Sequence, residues 1–380
     1  MKVSLTDICD FQGGTQPPKD EWIDQPAQGY VRMLQIRDFT QSDKNYIEYV
    51  KDTGKLKTCI KDDILIGRYG ASIGKILTGL AGAYNVAIVK TIPDEKVVSK
   101  KYLYWYLNSQ YFQRFINNVG SRAAQAGFNK NDLGAAQIPL VDKERQEEIC
   151  EVLEKANKLI SLRKQQLAKL DELIKARFVE IFGDPVSNPL HWKKVKLSEL
   201  ADIKIGPFGS LLHKEDYVTG GHPLVNPSHI ISGKIIVDND LTLTEGKYFE
   251  LSAYHLKKND VILGRRGEMG RCAVVNEEGL LCGTGSLLIR TNGTVTADYI
   301  QKIISFPTFK KTIEDMAVGQ TMPNLNVPIV SNFMIIVPPL SVQKNYYDFV
   351  ERVDQQKQTV QQSLEKLEVM KKALMQEYFG

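Results

Sequence analysis

Lys61-Asp62-Asp63-Ile64-Leu65-Ile66-Gly67-Arg68-Tyr69-Gly70 returns later in the chain as Lys258-Asn259-Asp260-Val261-Ile262-Leu263-Gly264-Arg265-Arg266-Gly267. Both stretches carry an acidic residue, an apolar run and a Gly-Arg-x-Gly end, and Asp63 and Asp260 set an offset of 197 residues. The register persists downstream: Arg145-Gln146 answers to Val342-Gln343, and Phe182-Gly183 to Phe379-Gly380. So long a period excludes a solenoid, whose units are far shorter. It indicates a duplicated globular stretch followed by a long helix, the layout of a two-site binder with two similar surfaces about a pseudo-twofold axis.

Composition sets bounds on this reading. The 380 residues allow two domains with connecting structure, and 43% hydrophobic with 25% charged is ordinary globular material. A formal net charge of +4 is compatible with nucleic-acid binding only if the basic groups cluster. Cys9, Cys59, Cys150, Cys272 and Cys282 form no CxxC pair, which disfavours a disulfide framework and a zinc ribbon and points to a reduced cytoplasm. No apolar run approaches a membrane span, and the start MKVSLTDICD has no signal-peptide character.

Two segments carry a heptad seam. Apolar residues step by four and three through Ile149, Leu153, Ala156, Ile160, Leu167, Leu170, Ile174 and Ile181, with Arg163 and Arg177 in the remaining slots. The second seam runs Tyr346, Val350, Val353, Lys357, Val360, Leu364, Leu367, Lys371, Leu374 and Tyr378. Because the cationic interruptions do not coincide, pairing of the two different helices is favoured over self-pairing. From Glu144 to Ile181 such a rod spans about 57 Å and can hold two domains apart. Neither helix has the broad apolar stripe needed merely to pack on its own domain. Gly183 and Pro185 stop the first rod. The predicted boundaries are a globular domain at 1–142, a spacer helix at 143–184, a second globular domain at 185–340 and a second spacer helix at 341–380.

Within the globular parts, Tyr30–Ile36, Asp63–Gly67, Ile73–Leu77 and Val86–Val89 read as strands, and Lys100–Asn117 as an amphipathic helix. The second half echoes them with His222–Asn226, Asp260–Gly264, Arg271–Val275 and Ser286–Arg290, then a helix at Tyr299–Met316. The fold class is α/β (α+β): two duplicated domains with curved, antiparallel-rich sheets.

Loops carry the candidate contacts. Arg68, Tyr69, Arg265 and Arg266 sit between glycines at a strand end, followed by Lys75 and Arg271; an arginine fork suits phosphate or guanine edges. Two further loop pairs, Gly13 to Gln16 with Gly206 to Ser210, and Gly120 to Lys130 with Gly319 to Asn326, are rich in amide, hydroxyl and cationic groups. The candidate DNA contacts of the first half are Gln16, Arg37, Arg68, Tyr69, Lys75, Ser121, Arg122, Asn129 and Lys130. Those of the second are Ser210, His213, Lys214, His229, Arg265, Arg266, Arg271, Gln320, Thr321, Asn324 and Asn326. His213 and His229 read as loop polar groups, and His255 as a buried, satisfied histidine.

No catalytic motif emerges. Gly70-Ala71-Ser72-Ile73-Gly74-Lys75-Ile76 has three residues between its glycines where a P-loop needs four, and Ile where Ser or Thr must reach magnesium. Asn226-Pro227-Ser228-His229 matches only the first half of the Asn-Pro-Pro-aromatic signature of adenine-N6 methyltransferases. The five histidines show no metal spacing.

The doubled order resembles the specificity subunit of type I restriction-modification systems. The Asp-Ile-Leu-Ile-Gly-Arg and Asp-Val-Ile-Leu-Gly-Arg-Arg-Gly runs carry the likeness. So do the Gly-Ser and Gly-Gln-Thr loops, and the Ile-Pro-Leu…Arg-Gln and Pro-Pro-Leu-Ser-Val-Gln junctions before the helices. The resemblance implies two target-recognition domains, spacer helices paired as an antiparallel coiled coil, and a chain without catalysis. It implies double-stranded DNA as ligand, read as a bipartite target of two short half-sites. The implied partners are two DNA methyltransferase subunits and motor-nuclease restriction subunits. S-adenosylmethionine, ATP and magnesium would belong to those partners, and this chain would bind no cofactor. A self-contained methyltransferase or nuclease with its own recognition part is disfavoured by the missing cofactor motif. A coiled-coil scaffold without nucleic acid is disfavoured by the Gly-Arg loops.

Overall fold

Asp63 and Asp260 open the same strand twice, because their carboxylates accept the backbone N–H of Ile60 (3.0 Å) and Lys257 (2.7 Å) and turn the chain inward. The strands that follow, Leu65–Gly67 and Asp260–Gly264, are buried at every position. That explains their continuous apolar runs, since strands covered on both faces do not alternate. The protein is described from a computed structural model, which covers residues 1–41, 46–120, 127–317 and 324–380, apart from the side chains of Ser210 and Lys214.

In the first half, an antiparallel sheet has the order Cys9–Gly13, Ile88–Pro93, Leu65–Gly67, Ile76–Leu77. The second half repeats it as Ala201–Ile205, Ser286–Thr291, Asp260–Gly264, Cys272–Val274. Each half also pairs its first strand with the strand before its rod: Lys2–Ser4 with Gln137–Pro139, and Lys194–Lys196 with Met334–Ile336. A second sheet completes each half, with one parallel pairing, Met33–Leu34 on Ala83–Tyr84 and Leu224–Val225 on Leu281–Cys282.

Each predicted amphipathic helix is two helices. Lys100–Leu107 and Gln110–Gly120 are separated at Ser109, whose hydroxyl accepts the Phe112 N–H (3.2 Å) and starts a new helix. Ala297–Ile304 and Pro307–Met316 are separated because Pro307 occupies a first-turn position.

Each rod is one helix of 40 residues, Lys143–Phe182 and Leu340–Phe379. The chain gathers into two compact units, residues 1–166 with 360–380, and residues 167–359. Each unit therefore holds the beginning of one rod and the end of the other.

In the first unit the buried Gln146 side chain ties the rod's start to its domain. Its Nε2 donates to the carbonyls of Val97 and Val141 (both 2.9 Å), and its Oε1 accepts the Ser99 N–H (2.9 Å). The end of the second rod arrives from the opposite direction, and the fully buried Phe379 ring lies 5.2 Å from that of Tyr102. The antiparallel register is visible in Lys371 donating to Asn157 (2.7 Å) and Lys164 pairing with Glu368 (2.9 Å).

The second unit repeats these anchors. Gln343 Nε2 donates to the Pro338 carbonyl (2.9 Å) and Oε1 accepts the Thr296 N–H (3.0 Å). Phe182 is fully buried, 5.2 Å from Tyr299 and 5.3 Å from Tyr346. Lys357 pairs with Asp171 at 2.6 Å.

Seam positions Ile149, Leu153, Ile160, Ile174, Val353, Val360 and Leu364 are buried, and Leu167, Leu170, Val350, Leu367 and Leu374 are half-buried. Towards its end the first rod also buries Phe178, one position past Arg177, so the apolar face steps by fours through Ile174, Phe178 and Phe182.

Candidate nucleic-acid interface

The Gly-Arg turn is built from backbone pairing first and side chains second. Arg68 N–H donates to the Ala87 carbonyl (2.8 Å) and Arg265 N–H to the Gly285 carbonyl (2.9 Å), fixing where each arginine leaves its strand. Gly70 and Gly267 then take left-handed backbone at φ 56° and 79°, a region that favours glycine. A Cβ on Gly14 or Gly206 would sit 2.1 or 2.0 Å from the Asn85 or Gly283 carbonyl oxygen, so the loops that follow Cys9–Gly13 and Ala201–Ile205 lie flush against the same end of the sheet.

The arginines do not simply project. Arg68 Nε donates to the Phe128 carbonyl and Arg265 Nε to the Leu325 carbonyl, each at 2.9 Å and each across 60 residues. Phe128 and Leu325 themselves obey the 197-residue offset. Arg68 also lies over the Tyr69 ring, 5.0 Å from its centroid. Burial, and then the neighbouring Arg266, push the Arg265 pKa below its ordinary value. Nε closes the loop in both; Arg265 Nη1 also donates to the Thr284 carbonyl (3.4 Å), so within the described residues both Nη groups remain for a ligand only in Arg68.

Other candidates divide by role. Asn129 and Asn326 cap the short helices that follow: Asn129 accepts the N–H groups of Asn131 (2.8 Å) and Asp132 (3.1 Å), and Asn326 that of Ile329 (2.9 Å). They brace the loop rather than offer free amide oxygens. Lys130 pairs with Asp10 and holds that carboxyl below its usual range. Arg271 donates to the Pro227 carbonyl (3.1 Å) and Glu268 (3.1 Å). Arg37 lies in the second sheet region, paired with the buried Glu48 and 4.7 Å from the Tyr46 ring centroid. Gln16, Lys75, His213 and Arg266 are exposed, and Tyr69 is 38% exposed.

One candidate is corrected. His229 is buried, 7% exposed, with its Nδ1 2.9 Å from the Leu224 carbonyl oxygen, and so belongs to the core rather than to a contact surface. The asparagine-led turn at Asn226 to His229 is a small capped 3-10 turn that draws the imidazole inward. His255 is half-buried and satisfied, with Nε2 2.7 Å from the Tyr248 carbonyl oxygen. Ser121, Arg122, Gln320 and Thr321 lie outside the described residues, as do the side chains of Ser210 and Lys214. Asn324 is half-buried, and its Oδ1 finds no hydrogen-bond partner among the described residues.

Three features were not read from the sequence. The Phe128 and Leu325 carbonyls were legible only by carrying the repeat's register beyond the ten-residue match. Gly127, against the Tyr69 ring, had no sequence signal. Nor did the ion pair of the buried Asp260 with the partly exposed Arg290, whose Nε and Nη2 donate at 2.8 and 2.7 Å. Among the described residues no group of three or more His, Cys, Asp or Glu side chains could hold a metal ion, and no helix is long and apolar enough to cross a membrane.

With this geometry in view, the comparisons with known proteins are specific. The family model of the type I restriction modification DNA specificity domain matches residues 1–172 and again 189–369. The type I restriction enzyme MjaVIII specificity subunit of Methanocaldococcus jannaschii is 22% identical over 395 residues, spanning 98% of this chain and 90% of its own. A solved structure from work on complex assembly and conformational transition of the type I R-M system superposes with a TM-score of 0.66 at 15% identity, covering 100% of this chain and 97% of its own. The crystal structure of the S subunit from M. genitalium superposes with a TM-score of 0.55 at 17% identity, covering 100% and 96%.

Proposed function

This chain belongs to the type I restriction modification DNA specificity family, and on that premise we propose that it reads a split duplex DNA target without catalysing any reaction. Each half contributes one short half-site, unlike the other, with unread base pairs between them. The observation that carries this reading is the Arg-anchored turn, present twice with the same 2.9 Å bond to a carbonyl 60 residues on. A surface built twice on one scaffold suits two similar tasks, and outward guanidinium, amide and phenol groups suit base edges and phosphates.

The rods recruit the catalytic subunits. Glu147, Glu151, Glu154 and Lys158 on the first rod, and Glu351, Gln355, Gln358 and Gln362 on the second, stay exposed beside the seam. A two-helix coil buries little surface alone, and partner helices can complete a bundle around it. Duplication implies two copies of one partner, a DNA methyltransferase, with motor-nuclease subunits added for restriction. S-adenosylmethionine, ATP and magnesium belong to those partners, and the assembly works in the cytoplasm.

Mapping methylated adenines in cells with and without the chain tests the reading. A discontinuous motif that disappears with the chain is expected, whereas a continuous motif overturns it. Native mass spectrometry should show two methyltransferase copies per chain. A saturated complex holding one copy, or methylation by the isolated chain, contradicts the partner assignment.

A further inference from the structure

On one shared scaffold position the two halves place different side chains. The residue after each anchored arginine faces outward: Tyr69 in the first half, Arg266 in the second. Behind Tyr69 there is room only for glycine, because a Cβ on Gly127 would come within 2.7 Å of the ring. At the 197-residue offset the counterpart of Gly127 is Asn324. Leu325 N–H donates to the Arg265 carbonyl (2.9 Å), which brings Asn324 alongside Arg266.

Among the described residues both groups of that second pair lack a partner. The acidic residue nearest in sequence, Glu268, is engaged by Arg271 (3.1 Å) and Lys310 (2.7 Å), and among the described residues Arg266 makes no ion pair. Asn324 Oδ1 is buried and likewise unmatched among the described residues. A buried acceptor without a donor is costly, and in native structures protein, water or a ligand almost always serves it. A G·C base pair supplies both complements at one edge: two acceptors on guanine for an arginine fork, and an amino donor on cytosine for the Asn324 amide oxygen once that side chain turns outward. Tyr69 over Gly127 offers instead an aromatic edge and a hydroxyl, which suit a different base.

We infer that residues 69 and 266, each with the residue behind it, are specificity-determining: Arg266 with Asn324 reads a G·C pair, and Tyr69 with Gly127 reads another. Arg68 and Arg265 are positioning residues, holding that pair in place through the Phe128 and Leu325 carbonyls. The inference rests on the DNA-reading function proposed above.

Selection of duplexes from a randomised pool by the full chain tests it. Arg266→Tyr should lower guanine preference about tenfold at one column of the second half-site, the scale of losing a bidentate base contact, and leave the first half-site unchanged. The double variant Arg266→Tyr with Asn324→Gly should install at that column the base preferred by the first half. Arg68→Lys, which keeps a donor for the Phe128 carbonyl, should retain selectivity to within a few-fold, whereas Arg68→Ala should blur several adjacent columns of the first half-site. Uniform weakening of all duplexes by Arg266→Tyr, with the salt slope reduced by about one, identifies a phosphate contact and overturns the inference. So does Arg68→Lys behaving as Arg68→Ala. A wild-type chain that enriches no consensus overturns the DNA-reading function itself; a wild-type split consensus unmoved by Arg266→Tyr overturns this inference alone.

Discussion

In the sheet built on Leu65–Gly67 and its counterpart built on Asp260–Gly264, strand order, direction and anchoring bonds repeat, and the sheet beside each repeats its strand order too, Trp22–Ile23, Glu48–Lys51, Tyr30–Leu34 and Gly82–Tyr84 against Tyr217–Val218, Thr242–Leu243, His222–Val225 and Leu281–Cys282, but with different side chains laid on it. The repeated region includes Tyr102 and Tyr299, whose hydroxyls donate to the carbonyls of Pro139 (2.7 Å) and Ile336 (3.0 Å). On the second sheet the first half buries Glu48 among Lys19, Gln35 and Arg37. The second half instead sandwiches Tyr248 between His222 and His255 at 3.7 and 3.8 Å. The repeated sheet carries the rod anchors and tolerates little change, because both rods dock through its helices. The other sheet keeps its backbone pairing and changes the side chains it carries.

The most forceful way to break the likeness of the two halves is through the aromatic residue that ends each rod. Phe182→Ala and Phe379→Ala should each cost about 3–5 kcal/mol, the usual loss on truncating a buried aromatic. Phe182 should lie at the upper end, because Phe178 (4.9 Å), Tyr299 (5.2 Å) and Tyr346 (5.3 Å) surround it. Denaturant unfolding of the full chain checks this, and a larger loss at Phe379 contradicts it.

The buried carboxylates should separate the halves next. Asp260 is held by both donors of one guanidinium, whereas Asp63 is shared between Lys90 (3.1 Å) and Lys100 (3.3 Å). Asp260→Asn should cost about 2–3 kcal/mol after discounting for the partly exposed arginine, and Asp63→Asn about 1 kcal/mol. At Asp63 burial alone would raise the pKa, but the Ile60 N–H and the two lysines outweigh it and lower it. Its stabilisation is therefore complete above the unfolded value of about 3.9 and is lost as the pH falls through the lower folded value. Comparing acid unfolding of wild type and Asp63→Asn reads that difference directly: the two should converge at low pH, and a constant gap down to low pH would reject the linkage.

Smaller effects sharpen the comparison. Asn129→Ala and Asn326→Ala should each cost about 1 kcal/mol as lost helix caps, with Asn129 the larger because it accepts two bonds. Equal binding losses without any change in unfolding midpoint would make them contacts rather than caps. Least of all, replacing the partly exposed pair by Lys357→Met with Asp171→Leu should change stability by under about 1 kcal/mol. A large loss there would show the pair to be a main source of stability rather than a setter of register.

The duplication, the rods and the class of fold were legible because a conserved register and a heptad seam are periodic signals that survive in one dimension. Even the polar interruptions at Lys357 and Lys371 were visible as departures from that period. Of each second sheet only one strand was read, Tyr30–Ile36 and His222–Asn226, since two-residue strands such as Trp22–Ile23 and Thr242–Leu243 carry no period long enough to detect. His229 and His255 show the same limit at single residues. Their neighbours in sequence do not say which imidazole turns inward, because the Leu224 carbonyl that receives His229 is set by the turn at Asn226.

The sequence by itself therefore determined that this is one reader built twice, with arginine at corresponding strand ends. Only the tertiary structure decided what those arginines do. Nε of Arg68 and Arg265 is taken by carbonyls 60 residues away, and the outward role passes to Tyr69 and Arg266. That division depends on hydrogen bonds between distant segments, whose geometry exists only once the sheet and its following loop have come together.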